Sequence, residues 1–372
     1  MGPFFPAIMI VDQHNVAYFL AERGLLSFDS VVDGDFMVVD QSSRNRNLKI
    51  LRRKSTGFFI KQIAQPNTEY VQTMAREAAC YKLANENHLF RPLRALIPKF
   101  CYYDPTNHIL IIELLKDSET LWEYHQRLGA FPLEIARLQG KRLGNYHGKV
   151  HVNGQAAGLE NFARQLPWIL SIHETDPMYL NQLSHGNNQL VEILQRYPDF
   201  QTALATIKAE WKNTALIHGD IKWENMMLCT KGDTGSPDLK IIDWEIADIG
   251  DEAWDAGAVI QAYLSFWVFS LPLNSGMPLA DAAASSPYSG DEIKSALAAY
   301  WSSYAKTRGF TQPAARKMLN RCMACAAARM IQTAYESIQT SPQISQYALC
   351  KLQMSMNILK DPPAAVSELM GL

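Results

Sequence analysis

The segment Leu216–Leu228, LIHGDIKWENMML, sets a carboxylate at Asp220, an ammonium at Lys222 and a carboxamide at Asn225 between apolar runs. Further on, LKIIDWE ends a strand-like stretch on a second carboxylate, Asp243. Oxygen donors of this kind can accept a proton from a hydroxyl or hold a hard cation. The plain structural alternative is a capped turn whose polar groups satisfy backbone amides. Two more charged residues stand upstream: Lys61 closes the apolar run FFIK, and Glu77 lies in the helical run AREAACY.

Elements able to position these groups can be read from periodicity. Residues 14 to 23 carry Val16, Phe19 and Leu20 on one helical side, with Gly24 where a helix would end. Runs rich in β-branched and aromatic residues follow at Phe36–Val39, Leu48–Leu51 and Phe58–Ile63, the last two joined by the turn KSTG, which predicts a three-stranded antiparallel meander. A helix is expected from about Glu69 to Glu86, then strands near Phe100–Tyr103 and Ile109–Leu115. Beyond Leu115 the pattern is mostly helical, except that Leu216–Asp243 reads as a small β island rich in polar residues, with Lys231–Pro237 linking two strands. The stretch Asn274–Asp291, rich in Ser, Pro, Gly and Ala, reads as a loop.

Composition narrows the function classes. A chain of 372 residues with 48% hydrophobic residues has enough apolar content for two lobes with a real core. A formal net charge of −2 leaves no cation surplus for a polyphosphate backbone, so nucleic acid is not an expected partner. The six cysteines are scattered, which suits reduced thiols and a cytoplasmic protein. The start MGPFFPAIMI lacks a basic n-region, and Pro6 stands where a myristoylation signal wants Ser or Thr, so neither export nor lipidation is expected. The apolar stretch Gly257–Leu273 is too short for a bilayer and reads as a buried helix. Cys322 and Cys325 have no second pair and sit in an Ala-rich helical period, which favours core packing over metal binding.

The HGDxxxxN run from His218 to Asn225 and the IDWE run from Ile242 to Glu245 resemble the motifs of the aminoglycoside phosphotransferase and choline kinase-like family, relatives of the protein kinases. The matched order covers residues 36 to 260. Phosphoryl transfer needs a carboxylate to orient and deprotonate a hydroxyl, and oxygen ligands for the Mg2+ that neutralises phosphate charge. The resemblance implies Asp220 as catalytic base and Asn225 and Asp243 as metal ligands. It also implies that Asp255, in GDEAWD, braces the catalytic loop, that Lys61 held by Glu77 meets the ATP phosphates, and that His218 supports the loop backbone. The turn Asp40–Asn47 has no glycine, so Ser42 and Ser43 would offer hydroxyls to the phosphates, while Arg44 and Arg46 are either phosphate contacts or solvated turn residues. The strand Ile109–Leu115 resembles the hinge strand, where backbone near Glu113, Leu114 and Leu115 would hold the adenine edge. Lys222 departs from the His common there in aminoglycoside kinases; a lysine in Ser/Thr protein kinases reaches the transferred phosphate, and a plain surface lysine is the alternative.

The resulting expectation is an α+β, two-lobed protein kinase-like fold. Residues 1–115 would form a nucleotide-binding lobe with an antiparallel sheet, and 116–372 a mostly helical lobe with the catalytic and metal loops and the acceptor site. The expected activity is ATP- and Mg2+-dependent transfer of the γ-phosphoryl group to an alcohol hydroxyl of a small molecule. A peptide Ser/Thr kinase of ribosomal peptide natural-product biosynthesis and a nucleotide-binding scaffold without turnover are the alternatives. Trp122, Trp168, Trp211, Trp254 and Trp267 could be core or pocket wall.

Overall fold

The computed structural model describes residues 9–42, 45–152, 158–180, 183–230, 236–273 and 277–372. Its strands are β1 (Met37–Asp40), β2 (Asn45–Leu51), β3 (Phe58–Ile63), β4 (Phe100–Asp104), β5 (Ile109–Glu113), β6 (Ser118–Thr120), β7 (Ala215–Ile217), β8 (Met226–Cys229), β9 (Asp238–Ile241) and β10 (Asp248–Gly250). The helices of the first half are α1 (Val16–Glu22), α2 (Phe28–Val32), α3 (Thr68–Glu86), α4 (Leu121–Leu128) and α5 (Leu133–Lys149). They are followed by α6 (Pro177–Leu180), α7 (His185–Arg196), α8 (Pro198–Ala209), α9 (Glu252–Ser270) and α10 (Leu279–Ala284). The last four are α11 (Gly290–Arg308), α12 (Gln312–Glu336), α13 (Gln346–Lys360) and α14 (Pro362–Met370).

The chain divides into two compact units. The first comprises residues 1–120, 155–162 and 225–247, the second 121–154, 163–224 and 248–372. Contact density thus groups residues 225–247 with the N-terminal segment, whereas motif order alone reads them with the helical part.

In the first unit, β1 to β5 form an antiparallel sheet in the order β1-β2-β3-β5-β4. Alternation sends Leu48, Ile50, Phe58, Ile60, Ile109 and Ile111 to one face, where Val11, Val16, Phe19 and Leu20 complete a buried cluster. Lys61 pairs with Asn47 and Leu110, one residue out of step with that apolar set, so its side chain leaves from the opposite face. Asn67 caps α3 by accepting the Tyr70 N–H, and α3 carries Glu77 at a buried position. A second small sheet has the order β6-β8-β9, with Asn225 just before β8 and Asp243 just beyond β9.

The second unit is mainly helical. Helix α9 is buried nearly all round, as the apolar run Gly257–Leu273 suggested, and no helix among the described residues is long and apolar enough to cross a membrane. Gly257 lets α12 approach closely: a Cβ there would lie 2.4 Å from the Cys322 carbonyl oxygen. Cys322 and Cys325 are buried at this contact, as core packing requires. The expected loop Asn274–Asp291 contains a further helix, α10, and runs into α11, whose start at Gly290 is closed by a capping box between Ser289 and Glu292. Residues 274–276 lie outside the described residues; Pro278, Ser285 and Ser289, which suggested a loop, are the caps of those helices.

Trp223, next to Lys222, belongs to an aromatic cluster. The Trp223 ring packs 4.3 Å from His125 and 4.8 Å from Tyr263, centroid to centroid. His125 is fully buried, its Nδ1–H donates to the Ala130 carbonyl at 3.0 Å, and burial lowers its pKa to about 4. The unfolded chain would take up that proton near pH 6.5, so folded stability is complete above that pH and is lost as pH falls toward 4. The expected loss by pH 5 is about 2 kcal/mol from this residue. His125→Phe should flatten the fall in melting temperature between pH 7 and pH 5, leaving the share of His147, which burial lowers to about 3. An unaltered fall would dismiss His125 as the cause.

Candidate active site

In the first unit, Lys61 is the centre of a charge cluster. Its Nζ donates to Glu77 Oε2 at 2.8 Å, to Asp243 Oδ1 at 2.8 Å and to Glu245 Oε2 at 3.2 Å. Burial opposes its charge, but the three carboxylates overcome that and hold the ammonium well above the usual lysine range. Glu77 is pushed up, by burial first and then by the nearby Asp243 and Glu245 charges, against the pull of Lys61.

Two short strands deliver Asp243. The Ile242 N–H donates to the Asn225 carbonyl, and Met226 pairs with Ile241, so Asn225 and Asp243 emerge at the same end of the β8–β9 ribbon. Trp244, 1% exposed, anchors the turn by donating its indole N–H to the Ile241 carbonyl. Asp243 itself has a φ of 66°, a left-handed conformation that Asp tolerates better than most residues. Glu77, Asp243 and Glu245 bring carboxylate oxygens within 4.8 Å of one another. Three carboxylates around one ammonium, with the Asn225 amide one strand away, form an oxygen-only set with excess negative charge. A hard divalent cation fits it.

The nucleotide-side elements are only partly as expected. Asp40 accepts both the Ser42 N–H, at 2.8 Å, and the Ser42 hydroxyl, and Ser42 Oγ accepts the Asn47 N–H at 3.2 Å, so the hydroxyl is engaged in closing the turn. Ser43 and Arg44 lie outside the described residues. Arg46 pairs with Gln62, the neighbour of Lys61, and therefore stands on the face opposite to it; its charge serves Asp40. On β5, the strand expected as the hinge, and just beyond it, the N–H groups of Glu113 and Leu114 donate to the Lys99 and Gly57 carbonyls. Leu115 lies beyond the end of β5, and its carbonyl accepts the Ser118 hydroxyl.

In the second unit, β7 pairs with β10 and leads into the His218–Lys222 loop. Asp255, on α9 and 1% exposed, accepts the N–H groups of His218 at 2.7 Å and Gly219 at 3.0 Å, which makes it the expected brace. His218 Nδ1 accepts the Asp220 N–H at 3.1 Å, so this ring supports backbone. Gly219 has a φ of 82°, which any side chain would strain. The Asp220 carboxylate is held on both oxygens: Lys222 Nζ donates to Oδ2 at 2.6 Å and Arg329 Nη2 to Oδ1 at 3.0 Å. Burial would raise its pKa, but the two cations hold it well below the carboxylate range. Burial likewise opposes the Lys222 charge, and Asp220 overrides it, raising that pKa.

Residues 40–286 match the model of the phosphotransferase enzyme family, well over half of the chain. The chain belongs to that family. Among solved structures it is similar to a choline kinase from Cryptosporidium parvum, at 11% identity over 96% of this chain and 98% of that one, with a TM-score of 0.55. It is also similar to an amicoumacin kinase in complex with AMP-PNP, Ca2+ and Ami, at 10% identity over 93% and 96% of the two chains, with a TM-score of 0.50. These likenesses show a protein kinase-like fold. No curated protein matches the chain in sequence.

Three residues of this phosphotransferase carry site contacts to which sequence reading gave no role. Glu245 stood in the IDWE run without one. Trp223 lies inside the HGDxxxxN run, and its burial at 1% exposure fixes the loop from behind. Arg329 had no signal, because an arginine in an Ala-rich helical stretch looks like a solvated residue. Of the five tryptophans left open, Trp254 is core and donates to the Gly219 carbonyl, while Trp168 is 47% exposed.

Proposed function

We propose that this phosphotransferase moves the γ-phosphoryl group of ATP to an alcohol hydroxyl of a small molecule. The observation that carries the reading is the Lys61 ammonium, 2.8 Å from both Glu77 and Asp243. A lysine fixed by a buried carboxylate meets phosphate charge without paying for its own ordering at that moment. Asn225 and Asp243 would hold Mg2+, which when bound supplies charge neutralisation of the phosphates. Ser42 and Ser43 would cover the phosphates, and backbone at Glu113 and Leu115 would hold the adenine. Asp220 would orient the acceptor hydroxyl and take its proton. Residues to about 115 would bind nucleotide, and residues around 117–210 and 260–360 would recognise the acceptor. The AMP-PNP and Ca2+ of the amicoumacin kinase complex support nucleotide with a divalent cation, and the names of both similar kinases support a small-molecule acceptor. All six cysteines are free, in keeping with a cytoplasmic setting. The test is mass spectrometry for an increment of roughly 80 Da, one phosphoryl group, across sugars, amino alcohols and peptides incubated with enzyme and Mg-ATP. A gain on none of them, with ATP bound but not consumed, would leave a scaffold instead.

A Ser/Thr peptide acceptor is the second reading, favoured by Lys222 at 2.6 Å from Asp220. If Lys222 also meets the transferring phosphoryl group, Lys222→Ala should cost on the order of 10²-fold or more in turnover. The pair is partly exposed, so stability should change by no more than about 1 kcal/mol. Retention of more than about half the turnover would remove both the catalytic role and the support for a peptide.

A further inference from the structure

Arginine is expensive to bury, and Arg329 of α12 is 1% exposed. Its guanidinium is spent almost wholly on one short loop: Nη1 donates to the Gly219 carbonyl at 2.7 Å, and Nη2 to Asp220 Oδ1 at 3.0 Å and the Ile221 carbonyl at 3.3 Å. The Trp254 ring, itself bonded to the Gly219 carbonyl, lies 5.5 Å from the guanidinium carbon. A helix needing only to pack here would be served by an apolar side chain. A planar fork joining two carbonyls and one carboxylate oxygen sets the orientation of the carboxylate plane.

We propose that Arg329 is a positioning residue for the phosphoryl transfer, fixing the Asp220 carboxylate from Oδ1 so that Oδ2, which Lys222 also bonds, is turned toward the acceptor hydroxyl. The proposal rests on the role of Asp220 given above. It also gives the base its ionisation: burial alone would favour the neutral acid, and Arg329 is the strongest of the charges opposing it. Lys222 of the same loop also bonds this carboxylate, and His218 accepts the Asp220 backbone N–H; Asp255 of α9 acts one step away through the His218 and Gly219 N–H groups, and Glu224 and Glu336 face Lys222.

The experiment is a carboxyl-carbon NMR titration of the full-length protein labelled at aspartate, with Asp220→Asn assigning the resonance, in wild type, Arg329→Gln and Arg329→Lys. The Asp220 midpoint should rise by about one pH unit or more in the Gln variant and by less in the Lys variant, which keeps the charge and loses the fork. Turnover of Arg329→Lys should fall about 10-fold or more with KM for Mg-ATP within about 2-fold, and far less when added to Asp220→Asn, because the two act as one unit. An unmoved midpoint in Arg329→Gln, wild-type turnover in Arg329→Lys, or an equal loss in the Asp220→Asn background would each overturn the proposal. Should Arg329→Gln fail to fold, the Lys variant decides by the same readouts. If wild type phosphorylates no acceptor, the functional reading fails by itself, and the titration still decides whether Arg329 governs Asp220.

Discussion

Asp220→Asn is expected to lower turnover by about 10²–10⁴-fold at saturating acceptor while leaving the thermal shift produced by Mg-ATP nearly intact. The carboxamide keeps the shape and removes proton acceptance. It also presents an NH2 group to either Lys222 or Arg329, so one of the two bonds at 2.6 and 3.0 Å must be lost. The buried guanidinium keeps its two carbonyl partners, Gly219 and Ile221, and the backbone brace from Asp255 is untouched. The variant should therefore fold, with a lower melting temperature, and the kinetic loss should far exceed what partial unfolding explains. Wild-type turnover in this variant would take Asp220 out of the base role.

The second large effect is expected at Asp243, where loss of the carboxylate should abolish magnesium-dependent ATP binding. Glu77 and Glu245 are then left neutralising Lys61, and Asn225 offers only one neutral oxygen to a cation that prefers an octahedral oxygen shell shared with phosphates. Alanine is a poor probe, because a φ of 66° strains it by about 1–2 kcal/mol whatever happens to the metal. Asparagine tolerates that conformation, so Asp243→Asn isolates the charge. Lys61 then keeps Glu77 and Glu245 as partners and should remain in place. The measurement is thermal shift by ATP with and without Mg2+. A magnesium-dependent increment equal to that of wild type would sink the metal assignment.

The sequence by itself determined those parts of the protein that depend on near neighbours in the chain. Alternating Leu48, Ile50, Phe58 and Ile60 can bury one face only, which settles both the sheet and the side from which Lys61 projects. The HGDxxxxN and IDWE runs are legible for the same reason: a turn between a strand and a loop needs its polar residues at set offsets. The short helix α10 was not legible, since six residues flanked by Pro278 and Ser285 carry too little periodicity to outweigh their turn-forming neighbours. Nor could Arg46 be assigned a face before its register with Gln62 was known. Tertiary structure alone decided which charges meet. Lys61 reaches Asp243 across 182 residues and Arg329 reaches Asp220 across 109, and no local spacing encodes either pair. Each exists because a buried charge must find a partner once packing has removed its water, as Arg329 does where Gly257 lets α12 close on α9.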